Sequence, residues 1–489
     1  MRMRWVLAAW LLLLLWPGSA QADYLEVIRP AAHLKDGPVV DATSLRRLVA
    51  GDTVLLLDEG VRENGYYRAR TEDGIEGWVY RTLVRGHLGD PPAWPLQPVL
   101  PSPGSLPNAL LSGMNFWFGN IHAHTSEGSG EGGVTPSTHE EAFLYARDEA
   151  GLDFLAVTPH NHFVDASTYD DLLTTTLDPT YFTPGVFVPM AGQEFSSISR
   201  GNHVNVFALD AWVSPSEVAN GEFDGLFEDF IPDHATDLTF AQFNHPYSGK
   251  FTAKSRTEFG RDDFPDLDAW VEATDPWVTA IEVVSAPSHG DAEDRPHVDE
   301  HPTRLAAWLW AVQNGWKLAP TANQDNHRPN WGNATDSRTV AVAPELTPED
   351  LAAAFQQRRF YATEDSTLRL VVKSGGAWMG EVVSPAAFDG ITVAAHDPEE
   401  PQATYRVRIY AGFVREQGDP ERTTDLLKPQ SAPLHDEELT SGQSRTWALD
   451  GEAGTFYTVR VSQSLTSDDP NGTEDDAWSA PIWIVGDPH

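Results

Sequence analysis

The side chains best suited to chemistry in this chain form an ordered relay of imidazoles and carboxylates. From the N-terminus they are His122-Ala123-His124, His160, Glu194, His203, His245 and Asp325-Asn326-His327. Neutral imidazole and carboxylate are the groups that Zn²⁺, Mn²⁺ and Fe²⁺ recruit. The relay is too large for one closed structural site, which takes about four ligands. It suits a cluster of two or three divalent transition-metal ions (Zn, Mn or Fe) with positions open to water and substrate, the arrangement of a metal-dependent hydrolase.

Such side chains need rigid elements to aim them. Residues 114–365 alternate apolar strand-like runs with helical stretches, which predicts an α/β layout with parallel strands. Phe154 to Val157 reads as a strand buried on both faces. Phe187 to Met190, Val204 to Leu209, Phe240 to Phe243, Ala280 to Val284 and Leu318 to Thr321 read similarly. Nearly every candidate ligand lies at or just past the C-terminal end of one of these runs, the edge where parallel α/β folds place active sites. His203 precedes its run and is the exception. His122 and His124 are spaced i, i+2, so both point to one side of an extended chain, and Asp325 and His327 repeat that spacing. Thr138 with Glu141 fits a capping box, Thr347, Pro348 and Asp350 open another helix, and Leu305 to Val312 is apolar and helical.

The flanks differ in composition. Arg2 and Arg4, the apolar run Trp5 to Trp16 and Ala20-Gln21-Ala22 predict a cleaved signal peptide over 1–22. With no cysteine in the chain, the expected compartment is a bacterial periplasm or the medium, with no stable membrane anchor. Residues 23–88 read as a small β module with Asn64-Gly65 and Asp73-Gly74 as hairpin turns. Residues 89–113 are a proline-rich linker, and 366–489 are expected to form a β-sandwich. The chain has 33 Lys and Arg against 72 Asp and Glu, a net charge of −39. Such a field repels long polyanions, which leads to the expectation of a small-molecule substrate and no nucleic acid.

Taken together, the motifs resemble the PHP (polymerase and histidinol phosphatase) superfamily of metal-dependent hydrolases. The likeness rests on Asn120-Ile-His-Ala-His-Thr125, Gly151-Leu-Asp-Phe-Leu-Ala-Val-Thr-Pro-His-Asn161, Gly192-Gln-Glu194, His203, Asn244-His-Pro246 and Gln324-Asp-Asn-His327, in that order. Arg358-Arg-Phe-Tyr-Ala-Thr363 is similar to a secreted, carbamate-hydrolase-like subgroup. The resemblance implies a distorted seven-stranded β/α barrel whose ligands are His122, His124, His160, Glu194, His203, His245, Asp325 and His327. Glu194 is the expected bridge between ions, and catalysis is assigned to Glu194, Asp325 and His162, with His162 or His289 as general acid. Two departures stand out: Pro159 replaces an acidic residue, and the loop after His124 offers only Glu127 or Glu131 as a further ligand. The closing Gly77-Trp78-Val79-Tyr80 resembles bacterial SH3-like domains, which implies possible binding of cell-wall peptide.

Arg328, Arg338 and Arg359 are candidates to hold an anionic substrate group, and Trp331 to wall the pocket. Glu282 reads equally as support for a ligand or as a buried structural acid. His139, His162, His234, His297 and His301 read first as ordinary surface or core histidines, and Asp165, Asp170 and Asp171 as a solvated loop. Trp308, Trp310 and Trp316 are expected in the outer core, and Trp478 and Trp483 in the sandwich core. The reaction expected first is hydrolysis of a small phosphate mono- or diester. The alternatives are a carbamate or amide bond at the same metals, or a cell-envelope binding protein built on a degenerate barrel.

Overall fold

A computed structural model describes residues 24–87 apart from 28–31, 40–41, 49–50, 58–61 and 73. It also describes residues 106–486 apart from 130–136, 196–201, 247–257, 289–301, 423–432 and 465–474. The expected signal peptide, most of the linker, Asp73, Glu131, His289, His297 and His301 lie outside the described residues. The chain divides into two units, Met1–Leu96 and Gln97–His489.

The first unit is all β: β1 (Tyr24–Val27), β2 (Ala32–Lys35), β3 (Ser44–Leu48), β4 (Thr53–Leu56), β5 (Arg62–Glu63), β6 (Tyr66–Arg70), β7 (Glu76–Tyr80) and β8 (Val84–His87). They form one antiparallel sheet around Leu25, Leu34, Val54, Ala69 and Val79. Asn64 (φ 50°) and Gly65 (φ 87°) make the turn between β5 and β6, since a two-residue hairpin requires positive φ at both positions.

The second unit is built on β9 (Asn115–Asn120), β10 (Phe154–Val157), β11 (Val188–Phe195), β12 (Val204–Leu209), β13 (Ala235–Phe243), β14 (Val278–Ser285), β15 (Ala319–Asn323), β16 (Arg338–Ala343) and β17 (Phe360–Thr363). Every residue of β10, β14 and β15 is buried, as a strand covered on both faces requires. The capping box forms as expected: Glu141 N donates to Thr138 Oγ1 at 3.3 Å and Thr138 N to Glu141 Oε2 at 3.1 Å, opening the helix His139–Asp148. Asp170 and Asp171 are exposed but lie on a helix rather than in a loop, and Asp165 is the exposed residue just before it. Asp165 caps that helix, Ala166–Thr175, by accepting from Thr168 N at 3.0 Å.

Two features correct the expectation of a closed parallel barrel. First, the sheet is mixed: β9, β10 and β11 run parallel, as do β13, β14 and β15, but β12 is antiparallel to both neighbours. The segment 196–203 between β11 and β12 is too short for a parallel crossover, which takes about a dozen residues or more. Second, among the described residues no ladder joins β15 back to β9. The two ends meet just beyond the strands, in a parallel bridge between Ala123 and Asn326, with His124 N donating to Asn326 O at 2.8 Å and Asp325 N to His122 O at 2.9 Å. Backbone pairing at the seam therefore falls on the ligand-bearing segments themselves.

Part of the C-terminal region continues the same sheet. β18 (Arg369–Ser374), β19 (Ala377–Trp378), β20 (Val382–Val383), β21 (Ile391–His396), β22 (Thr404–Phe413), β23 (His435–Thr440), β24 (Ser444–Trp447), β25 (Thr455–Gln463), β26 (Asp475–Ser479) and β27 (Ile482–Ile484) follow in order. β26 pairs with β17, so the path runs β17-β26-β25-β22-β23, and β19-β18-β21-β24 form a separate sheet. Trp308, Trp310 and Trp316 are fully buried in one apolar cluster with Trp478 and Trp483. Among the described residues no helix is long and apolar enough to cross a membrane.

Candidate metal centre

The sheet delivers all eight sequence candidates to one edge. His122 and His124 follow β9, His160 follows β10, Glu194 ends β11, His245 follows β13, and Asp325 and His327 follow β15. His203, the apparent exception, precedes β12 because β12 runs the other way: the start of an antiparallel strand lies beside the ends of its neighbours. Asn244 N donates to His203 O at 3.1 Å, which ties the last residue before β12 to the first beyond β13.

Glu194 sits at the middle. Its Oε1 lies 2.8 Å from His203 Nδ1, 3.1 Å from His122 Nε2 and 3.4 Å from His245 Nε2. Its Oε2 lies 2.9 Å from His160 Nδ1 and 3.2 Å from His124 Nε2. Asp325 Oδ1 lies 3.1 Å from His122 Nε2 and 3.0 Å from His124 Nε2. These residues and His327 form four overlapping buried triads with ligand atoms within 4.8 Å of one another. The triads are His124/His160/His327, His122/Glu194/His245, His122/His124/Asp325 and His160/Glu194/His203.

The donor set fits divalent cations. His160 Nδ1 and Glu194 Oε2 lie 2.9 Å apart in a geometry poor for a hydrogen bond, as two ligands of one ion would. Burial opposes ionisation of Glu194, but His203, His160 and His122 outweigh it and hold its carboxyl well below the usual carboxylate range. Asp325 is held low in the same way against burial, by His122 and His124. Burial also opposes a charged His124, yet its Nε2–H facing the carboxylates of Asp325 and Glu194 raises it to about 9. Buried carboxylates here demand positive charge. Cations supply it equally well, and binding them displaces protons from the imidazoles. His245 (φ 33°) and Asp325 (φ 50°) both adopt left-handed backbone, a cost tolerated where the surrounding structure over-determines the conformation.

The other expected site residues are placed less uniformly. His162 stands beside the centre, its ring 5.4 Å from that of His160. Burial, with the charges of His160 and His203, lowers it to about 4, so it is neutral near pH 7. Trp331 is buried rather than a pocket wall, and its indole Nε1 donates to His124 O at 2.9 Å. Arg328 is exposed and adjoins His327. Arg338 is buried and donates to the carbonyls of Thr335 and Ser337, both at 2.8 Å. Arg359 lies at the opposite edge. It donates to Val342 O at 2.7 Å, and Val342 pairs with Phe116 near the start of β9. Glu127 accepts from His139 Nδ1 at 2.9 Å and belongs to a separate group with His139 and Glu140.

Sequence reasoning left out the groups that hold the ligands. Asn244 Nδ2 donates to Glu194 Oε1 at 2.8 Å. Ser288 Oγ donates to Asp325 Oδ2 at 3.1 Å. Asn120 Oδ1 accepts from His122 N at 3.2 Å and Gln324 N at 3.3 Å. Glu282, left undecided between two readings, contacts His122 Nδ1 at 2.8 Å and accepts from His245 N at 2.7 Å. Polar residues flanking the ligands were the available signal.

No protein-family model matches the chain, and no curated protein matches it. Solved structures similar to it include a two-domain protein from Bacteroides vulgatus containing a predicted PHP-like metal-dependent phosphoesterase. The identity is 13%, the match covers 78% of this chain and 98% of that one, and the TM-score is 0.39. Endonuclease Q in complex with a 27-mer duplex bearing an abasic lesion matches at 11% identity over 50% of this chain and 57% of that one, TM-score 0.30. The lesion-specific endonuclease Q of Pyrococcus furiosus matches at 16% identity over 50% and 56%, TM-score 0.30. The expectation of a small-molecule substrate and no nucleic acid is not supported by these comparisons, which include a protein solved with duplex DNA. Net charge does not decide the matter, because metal ions can invert the potential locally.

Proposed function

We propose that this protein is a metal-dependent hydrolase of the PHP type that cleaves phosphoesters. The observation that carries the reading is the Glu194 carboxylate, buried and within 3.4 Å of nitrogens from five histidines on four chain segments. No structural role calls for that density of buried ligand atoms. His122, His124, His160, His203, His245, His327, Glu194 and Asp325 are the residues that would hold the ions. When bound, Zn²⁺, Mn²⁺ or Fe²⁺ supplies Lewis acidity that activates water and polarises the ester. Glu194 contributes an oxygen to each of two neighbouring ligand groups, which suits it to bridge. Arg328, exposed next to His327, is the arginine assigned in this reading to an anionic ester group. The assignment to phosphoesters rests on the order of the PHP-like motifs from Asn120 to His327.

The test is metal content by mass spectrometry on the purified protein, paired with turnover of bis-p-nitrophenyl phosphate by wild type and His124→Ala. Two or more transition-metal ions per chain and turnover that depends on His124 are expected. One ion or none after loading with Zn²⁺ and Mn²⁺, with no turnover, overturns the reading.

A further inference from the structure

We infer that Glu282 is the positioning residue of the centre: it fixes the tautomer of His122 and the backbone of His245, and so controls one ion position selectively. The inference rests on the metal-binding reading above.

Glu282 lies on β14, the one strand from β9 to β15 with no candidate ligand at or near its described ends. It is fully buried and its two oxygens serve different partners. Oε1 faces His122 Nδ1 at 2.8 Å and accepts from Asn323 Nδ2 at 3.1 Å and Gln242 Nε2 at 3.4 Å. Oε2 accepts the backbone N–H of His245 at 2.7 Å. Gln242 Oε1 in turn accepts from Thr321 Oγ1 at 2.8 Å and Asn323 Nδ2 at 3.1 Å, so the carboxylate is braced from β13 and β15.

Two consequences follow. A carboxylate against Nδ1 would keep a proton there when a cation takes the His122 Nε2 that faces Glu194 and Asp325. The bond to His245 N secures a residue at φ 33°, and that backbone turn aims the ring at Glu194. Only the His122/Glu194/His245 triad holds both residues that Glu282 secures; His122 alone enters the His122/His124/Asp325 triad, and the His160/Glu194/His203 triad has no contact with Glu282 among the bonds described. An amide in place of Glu282 presents one acceptor and one donor, so it can satisfy His122 Nδ1–H or His245 N–H but not both.

The experiment titrates Co²⁺ into the metal-free full chain, wild type and Glu282→Gln, following visible absorption and bound-metal stoichiometry. The expected result is about 10- to 100-fold weaker binding of one equivalent in the variant, with the remaining sites unchanged. Equal binding curves overturn the inference, as does uniform weakening of every site alongside a collapse in thermal stability. Wild type that binds no Co²⁺ overturns instead the metal-binding reading itself. Should the variant fail to fold, the imidazole ¹⁵N–¹H spectrum of the Zn²⁺-loaded wild type decides. A His122 proton on Nδ1 supports the inference and one on Nε2 overturns it.

Discussion

The indole of Trp331 donates its N–H to the carbonyl of His124 at 2.9 Å, across 207 residues of chain. The ring is buried, edge-on to Tyr145 at 5.8 Å between centroids, so it carries both a packing and a polar role. Trp331→Phe keeps most of the packing and leaves the His124 carbonyl without that donor. An unsatisfied buried group costs about 1–3 kcal/mol, so the urea midpoint should fall by a corresponding amount. Metal affinity should weaken with it, because the same carbonyl anchors a ligand-bearing segment. An unchanged midpoint would show that water replaces the indole.

Gly119 is needed for close approach rather than for turning. A Cβ there would come within 2.4 Å of the Phe154 ring and of its backbone oxygen, where β9 pairs with β10. Backbone cannot move aside, so Gly119→Ala should destabilise by about 1–3 kcal/mol or more. Denaturant melts check this, and bound metal should drop as well, since Gly119 lies three residues before His122.

Ion binding should appear as stability. Ligands that bind only the folded state stabilise by about 2.7 kcal/mol at one-hundred-fold excess over Kd. Zn²⁺ or Mn²⁺ should therefore raise the Tm of the metal-free protein, and a chelator should reverse the rise. Glu194→Ala removes the oxygens common to two triads and should abolish most of the shift. A Tm indifferent to metal in the wild type would count against the centre.

The Glu127–His139 pair predicts a pH dependence away from the main cluster. Burial disfavours charge on His139, yet the hydrogen bond to Glu127 and the charges of Glu140 and Asp171 raise its pKa above 6.5. A raised folded-state pKa stabilises fully below the unfolded value and loses that contribution as pH rises through the folded value. The stability difference between wild type and His139→Gln should therefore be largest below about pH 6.5 and shrink at higher pH. A difference that is flat with pH would show that the pair is not charged in the folded state.

Much of the candidate site was legible in the sequence, and so were the strands and helices that carry it. His122, His124, His160, Glu194, His203, His245, Asp325 and His327 are recognisable because ligand chemistry depends on residue type. Spacing relative to apolar runs follows from strand geometry. The capping box at Thr138 and the buried strand at Phe154 to Val157 are local patterns of the same kind.

The sequence by itself determined which side chains can bind metal and which short elements precede them, since both are settled within a few residues. Tertiary structure decided how those elements are combined. It turned β12 antiparallel, which is why His203 stands before its strand. It joined the two ends of the sheet at Ala123 and Asn326. It directed Arg338 and Arg359 to backbone carbonyls rather than to the centre. It set Glu282 against His122 across 160 residues of sequence. No local pattern encodes such pairs, because their geometry exists only once distant strands have packed into one buried sheet.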